Sequence, residues 1–380
     1  MVKPVAGRRD FNAFLDVPAR LRTGDPTWIA PLRVERKHHF GPKNPYFAHA
    51  KAQYFLAETA EGKPVGRITA QVDDLVQPAD GSGRVAHFGC LEAADAESLH
   101  ALLAAAEDWA RDQGATSLHG PFSLSINDEI GLRVAGFHRP ARLMMNDAPE
   151  WYAPAVADAG YAKAKDVVAY TFDGRADLPA RAARLAAQAE AMPGLRERPI
   201  DPARFHEELA TVVDIFNDAW SDNWGFVPMT EAEVGAMAAA MKPLIRPEMV
   251  RIAEKDGVPV AMIVGLPDIN EALAGLGGRL LPWGWARLLW RLKVRGVGGA
   301  RVLLMGVRKD YRTGLMGGAL ATWLIARLHA ANRDAAKKQA GFREIELSWV
   351  LEDNTPTRRL IENIGGVCDA RYRLYEKALT

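Results

Sequence analysis

The densest run of chemically useful residues is Gly306-Val307-Arg308-Lys309-Asp310-Tyr311-Arg312-Thr313-Gly314-Leu315-Met316-Gly317-Gly318-Ala319-Leu320. It reads as a strand passing through a glycine-rich turn into an apolar helix. The first N–H groups of such a helix lack partners within it and point outward at the positive end of its dipole, where they bind phosphate oxygens. Glycines let an anion approach that backbone, and the Arg312 guanidinium adds a charge-assisted bond. Gly306, Val307, Arg312, Thr313, Gly314, Leu315, Met316, Gly317 and Gly318 are therefore the candidate diphosphate-binding residues. A tight turn before a packed helix is the alternative.

Proton chemistry has candidates in the first half of the chain. His87 lies in an apolar strand, and Asn127, Asp128 and Glu129 lie in a polar loop among large apolar residues. A carboxylate or imidazole there could take the proton that an ammonium must lose before it attacks a carbonyl; solvation or loop capping is the other reading. Tyr152, Trp220, Asn223 and Trp224 are candidate substrate-binding residues, with core packing as their alternative.

Between Glu271 and Asp310 there is no acidic residue, while Arg279, Arg287, Arg291, Lys293, Arg295, Arg301, Arg308 and Lys309 give eight positive charges. Trp285, Leu288, Leu289 and Leu292 share one helical face there, with Arg287 and Arg291 off it. Such a helix suits an anionic bilayer, each basic side chain contributing roughly 1 kcal/mol near the surface. Segment 279–301 is thus a candidate membrane contact; a helix packed on its own domain is the alternative.

The elements that must position these groups come in two similar series. Ala57-Glu58-Thr59-Ala60-Glu61-Gly62-Lys63-Pro64-Val65 and Ala253-Glu254-Lys255-Asp256-Gly257-Val258-Pro259-Val260 both read as strand, turn and strand, and each is followed by strand, helix, strand, helix and strand. From Gly62 to Asn127 is 65 positions and from Gly257 to Asn354 is 97, an excess of 32 that matches an insertion at 267–300. The expected organisation is a module at 1–172, a linker at 173–201 and a second module at 202–380. The turn signals of residues 1–45, Asp25-Pro26-Thr27-Trp28 and Pro42-Lys43-Asn44-Pro45, leave little room there for long elements and predict a wrapping segment.

The Arg312–Gly317 turn resembles the acyl-coenzyme A loop of the GNAT superfamily, a [Gln/Arg]-x-x-Gly-x-[Gly/Ala] pattern with Leu315 in place of its middle glycine. Leu347-Ser348-Trp349-Val350-Leu351-Glu352-Asp353-Asn354 and Leu360-Ile361-Glu362-Asn363-Ile364-Gly365-Gly366 resemble the strand and helix that flank the thioester in that family. The resemblance implies two neighbouring strands that splay to hold the pantetheine arm. It also puts Asn354 at the cofactor, although a plain helix cap fits that residue equally. Ile361 stands where the family usually has a tyrosine that protonates the leaving thiolate. In the first half Ala93-Ala94-Asp95-Ala96-Glu97 replaces the glycine run, so carboxylates occupy the helix start and coenzyme A is not expected there.

Together with Ile215-Phe216-Asn217-Asp218-Ala219-Trp220-Ser221-Asp222-Asn223-Trp224-Gly225-Phe226 and Gly120–Leu132, the chain resembles a bacterial tandem-GNAT family that includes GNAT-type ceramide synthases. The implied fold is α/β, two tandem GNAT-like modules, each a mixed, mostly antiparallel sheet flanked by helices. The implied activity is N-acyl transfer from acyl-CoA to a long-chain, sphingoid-type amine. A GNAT acetyltransferase with a small soluble acceptor and a catalytically inactive acyl-CoA or membrane sensor are the alternatives.

The totals agree with that class. The 380 residues exceed what one core usually organises, and 48% hydrophobic with 25% charged residues is an ordinary globular composition. A net charge of +1 provides no global field for nucleic acid, so neither that partner nor charged tRNA is expected. Cys90 and Cys368, the only cysteines, form neither a disulfide framework nor a metal site, so no metal and a reducing compartment are expected. No run approaches the roughly 18 apolar residues of a membrane span, and the expectation is a cytoplasmic protein that meets the inner membrane peripherally.

Overall fold

A computed structural model describes residues 1–76, 83–312, 314–337 and 340–379, without the side chains of Gly314 and Leu315. The first half of the chain forms β1 (Val2–Pro4), α1 (Gly7–Leu21), α2 (Arg33–His39), β2 (Ala50–Glu58), β3 (Pro64–Asp73), β4 (Arg84–Ala93), α3 (Ala96–Asp112), β5 (Ala115–Gly120), β6 (Leu132–Ala135), α4 (Tyr152–Asp158) and β7 (Ala162–Asp173). The second forms α5 (Ala180–Glu190), β8 (Leu195–Pro199), α6 (Phe205–Trp220), α7 (Glu231–Met241), β9 (Val250–Lys255), β10 (Val258–Pro267), α8 (Ile269–Leu273), α9 (Gly284–Trp290), β11 (Gly299–Val307), α10 (Gly314–Lys337), β12 (Glu344–Leu351), α11 (Thr355–Asn363) and β13 (Val367–Ala378).

These elements group into two compact units. One comprises Met1–Val167, Leu273–Leu288 and Ala370–Thr380, and the other Val168–Ala272 and Leu289–Asp369. In the first unit the strand order is β1, β2, β3, β4, β5, β13, with β6 also paired to β13. The last strand of the chain therefore completes the first unit's sheet, Tyr375 standing opposite Gly120 and Ala378 opposite Ser117. In the second unit the order is β8, β9, β10, β11, β12 and the end of β7. All neighbours with a described register are antiparallel except β4 with β5 and β11 with β12.

Alternation along the strands builds a core on each face. On β2, Phe55 and Ala57 face the α3 core with Ile68 and Leu102, while Tyr54 and Leu56 meet Phe14 of α1 on the other side. In the second unit Ala300, Val302 and Val307 pack under α5 and α10, and Ile215 and Phe216 of α6 cover Met262 and Val264 opposite. Local signals stop the elements where the sequence predicts. Both hairpins turn through a glycine at positive φ, Gly62 at 76° and Gly257 at 84°, and Asp95 with Ser98 forms a capping box on α3.

The N-terminal region corrects the expectation of a segment without long elements, because α1 runs for 15 residues. Its apolar residues recur at helical spacing, burying Phe14, Leu15 and Val17, and the Asp10 carboxylate accepts the Ala6 N–H at its start. That burial outweighs the cost of Pro18 near its end.

Candidate active site

The ladder between the parallel strands β11 and β12 runs from Gly299 opposite Glu344 to Val302 opposite Leu347 and then stops, although both strands continue. The cause lies on the other side of β11. Against β10, Val264 pairs with Leu304 but Gly265 with Val302, so Leu303 is an extra, unpaired residue. A bulge bends and twists its strand, and here it turns β11 away from β12. Residues 303–307 and 348–351 form the walls of a wedge whose backbone groups are released from the ladder.

Three buried polar residues hold its apex. Arg301 donates from Nε to Ser348 Oγ at 2.8 Å and from Nη2 to Ser348 O at 3.3 Å, Ser348 Oγ donates to Glu346 Oε1 at 2.6 Å, and Arg301 lies 3.9 Å from that carboxylate. Sequence reading passed over this group. Its signal was present, a charge inside each of two otherwise apolar strands, where burial requires pairing. Farther out, Trp220 donates its indole N–H to Met305 O at 3.3 Å and meets the Trp349 ring edge-on at 5.3 Å, so one predicted substrate residue does stand at the wedge. Asn223 and Trp224 lie beyond, half-buried in the turn after α6, where Asn223 N donates to Trp220 O.

At the far end of β11 the chain enters the turn before α10. A side chain on Gly317 would place its Cβ 2.6 Å from Arg312 O and 2.7 Å from Arg312 Cα, so the turn in this chain leaves no room for the alanine that the family pattern also allows there. Arg312 donates from Nη1 to Ala219 O at 2.9 Å and from Nη2 to Asp222 at 3.4 Å while remaining 40% exposed. Lys309 binds Asp222 at 2.6 Å, and this bond holds the Asp222 carboxyl below its ordinary pKa. Met316 and Gly318 are exposed at the helix start. Gly306 admits Ala219 of α6, and Val307 is buried in the α10 core. Thr313 lies outside the described residues, as do the side chains of Gly314 and Leu315. Asn354 caps α11, its Oδ1 accepting from Thr357 N at 3.2 Å, and Ile361 is buried.

The first unit repeats the device and then closes it. Its parallel ladder ends at His87 opposite His119, and β4 has a register shift against β3 between Glu92 and Gly89. The gap is filled by its own chain. Phe122 N donates to Phe88 O, Gln71 reaches Phe122 O and Leu124 O, and a Cβ on Gly89 would overlap Phe122 O.

The residues picked for proton chemistry surround this plug. Glu129 is bound by Arg36 at 2.7 and 3.0 Å and by Ser123 at 3.0 Å; burial pushes its pKa up, but Arg36, His39 and Ser123 outweigh that and hold it below the ordinary value. Burial, with His119 adding to it, lowers His87 to about 3. Neither is tuned to accept a proton near neutrality. Asp128 accepts from Ser125 N, and Asn127 N donates to Ser125 Oγ. Tyr152 is a core residue, its hydroxyl bound to Ala93 N, Ala93 O and Glu92. Among the described residues no group of His, Cys, Asp and Glu is placed to hold a metal, and no helix is long and apolar enough to cross a membrane.

Comparison with known proteins agrees with this architecture. No family model matches the chain. A protein described as bacterial ceramide synthase from Caulobacter vibrioides is 45% identical over 382 residues, covering 100% of this chain and 97% of its own. Protein YghO of Escherichia coli is 43% identical over 380 residues, covering 100% and 95%. Among solved structures, a tandem GNAT protein from the clavulanic acid biosynthesis pathway superposes with a TM-score of 0.57 at 15% identity, over 100% of this chain and 98% of the other. A GCN5-related N-acetyltransferase from Sphaerobacter thermophilus gives 0.53 at 15%, over 100% and 96%. The glycine-dependent turn, the splayed strands and the full-length likeness converge: the chain belongs to the bacterial tandem-GNAT acyltransferase family that includes the ceramide synthase of Caulobacter vibrioides.

Proposed function

We propose that the second unit binds a long-chain acyl-CoA and transfers its acyl group to the nitrogen of a sphingoid-type amine, as in ceramide formation. The diphosphate rests on the α10 turn at Arg312, Met316, Gly317 and Gly318, and the pantetheine arm lies along the backbone groups released in the wedge. The neutral amine attacks the thioester carbonyl, the C–N bond forms, the C–S bond breaks, coenzyme A leaves as thiolate, and the proton lost from nitrogen passes to water or to the departing thiolate. A thiol pKa of about 8–9 makes that departure tolerable without a protein acid, consistent with Ile361 being buried. We assign Glu129 and His87 to the architecture of the first unit, with Asn127 and Asp128 capping the same loop.

The observation that carries this reading is the parting of β11 and β12 at the Leu303 bulge, on the strand that leads into the glycine-dependent turn. The name of the Caulobacter relative supports the sphingoid acceptor. A lipid amine would come from the cytoplasmic face of the membrane, to which Leu281 and Trp283 of the 279–301 segment, 80 and 77% exposed, offer apolar side chains. The test is thiol release by the purified protein from long-chain acyl-CoA with sphinganine or 3-ketosphinganine. Release with a small polyamine and with neither base would replace the lipid acceptor by a soluble one.

A further inference from the structure

Within the second unit, a cavity of about 240 Å³ opens at the leading ends of β11 and β12, lined by Arg175, Arg291, Arg295, Arg343 and Glu271 around the backbone of Gly296–Gly298. We propose that it is a binding site for a phosphate ester. Four guanidinium groups face one carboxylate, and Glu271 is already engaged with Gly298 N at 2.8 Å. Like charges gathered this way repel unless an anion joins them, and guanidinium forks match phosphate oxygens.

The site is shaped as well as charged. Arg291 is anchored to Ala272 O at 2.7 Å. Arg343 covers Gly298 so closely that a Cβ there would lie 2.7 Å from its Nη2, and its own N–H is fixed to Gly298 O. Among the described residues the guanidinium groups of Arg175, Arg295 and Arg343 make no hydrogen bond or ion pair. The cavity is also separate from the wedge. It lies before Gly299 and Glu344, whereas the wedge opens after Val302 and Leu347, so four paired residues, about 13 Å of strand, intervene.

The helical turn that supplies two of the arginines points to the source of the phosphate. Trp290 and Val294, each one residue ahead of Arg291 and Arg295, are 53 and 71% exposed, so an apolar stripe runs beside the basic one. That pairing suits the phosphodiester headgroup of an anionic lipid, with Trp290 and Val294 in the interface. The lipid source rests on the membrane contact proposed above; the anion site does not.

The test uses the full chain without any amine, so it is independent of whether the acceptor is a sphingoid base. Cosedimentation with phosphatidylcholine vesicles, with and without phosphatidylglycerol, is compared for wild type and Arg175→Ser/Arg295→Ser, alongside thermal protection by inorganic phosphate. Loss of two cations should weaken partitioning onto the anionic vesicles about thirtyfold and abolish the phosphate protection, with protection by acyl-CoA retained. Vesicle binding unchanged but phosphate protection lost would keep the site and make its ligand a soluble phosphate ester. Both unchanged would overturn the proposal.

Discussion

Gly317→Ala probes the turn that the proposed chemistry needs. The new methyl would lie 2.6, 2.7 and 2.9 Å from the O, Cα and C atoms of Arg312, all backbone, so relief requires the turn to retreat by roughly 0.8 Å to reach ordinary contact. A phosphate oxygen held by an amide at about 2.9 Å would then stand beyond hydrogen-bonding range. One charge-assisted bond is worth about 1.5–3 kcal/mol, so acyl-CoA affinity should fall roughly 10- to 150-fold. Stability should change little, because about 1 kcal/mol of helix propensity opposes an overpacking cost of about 1–3 kcal/mol. Gly235→Ala on α7 is the control: no atom lies within 4 Å of its Cβ, so it should gain up to about 1 kcal/mol of stability and leave binding alone. Calorimetric acyl-CoA titration and thermal melts read both variants. A Gly317→Ala protein with wild-type affinity would refute the placement of the diphosphate on this turn.

Arg301→Met should destabilise the second unit by about 3–5 kcal/mol in denaturant unfolding, because removing one partner of a buried ion pair leaves the other uncompensated, and Arg301→Met/Glu346→Met should restore most of it. A single variant within about 1 kcal/mol of wild type would mean that the network does not hold the apex as a unit. His87 titrates at about 3 in the fold against 6.5 ordinarily, so between those values the unfolded chain binds the extra proton and stability falls as pH drops. At about pH 5 its share is about 2 kcal/mol. His87→Phe should flatten the acid side of a stability–pH profile by that amount, and a profile parallel to wild type would contradict it.

Much of this protein is legible along the chain. The repeated hairpins, the capped α3, the glycine-rich start of α10 and the cap at Asn354 all follow from local preference. Trp220 could be picked out by type, but Tyr152 looked the same and is core. The α1 helix was obscured because flanking proline turns spoke louder than a short apolar stripe. Arg301, Glu346 and Ser348 become one group only when two strands distant in sequence pair.

By itself, then, the order of residues determined most of the strands and helices and where a glycine-rich turn opens α10, because those depend on neighbours a few positions away. Tertiary structure alone decided that β13 completes the first unit's sheet, that Leu303 is the bulged residue, that Phe122 plugs the gap beyond His87, and that the β11–β12 ladder stops at Val302 and Leu347. The run Val302-Leu303-Leu304-Met305 carries no mark of a bulge. Bulge and wedge exist only as a register between β11 and its partners on either side, and register is a property of pairs of strands.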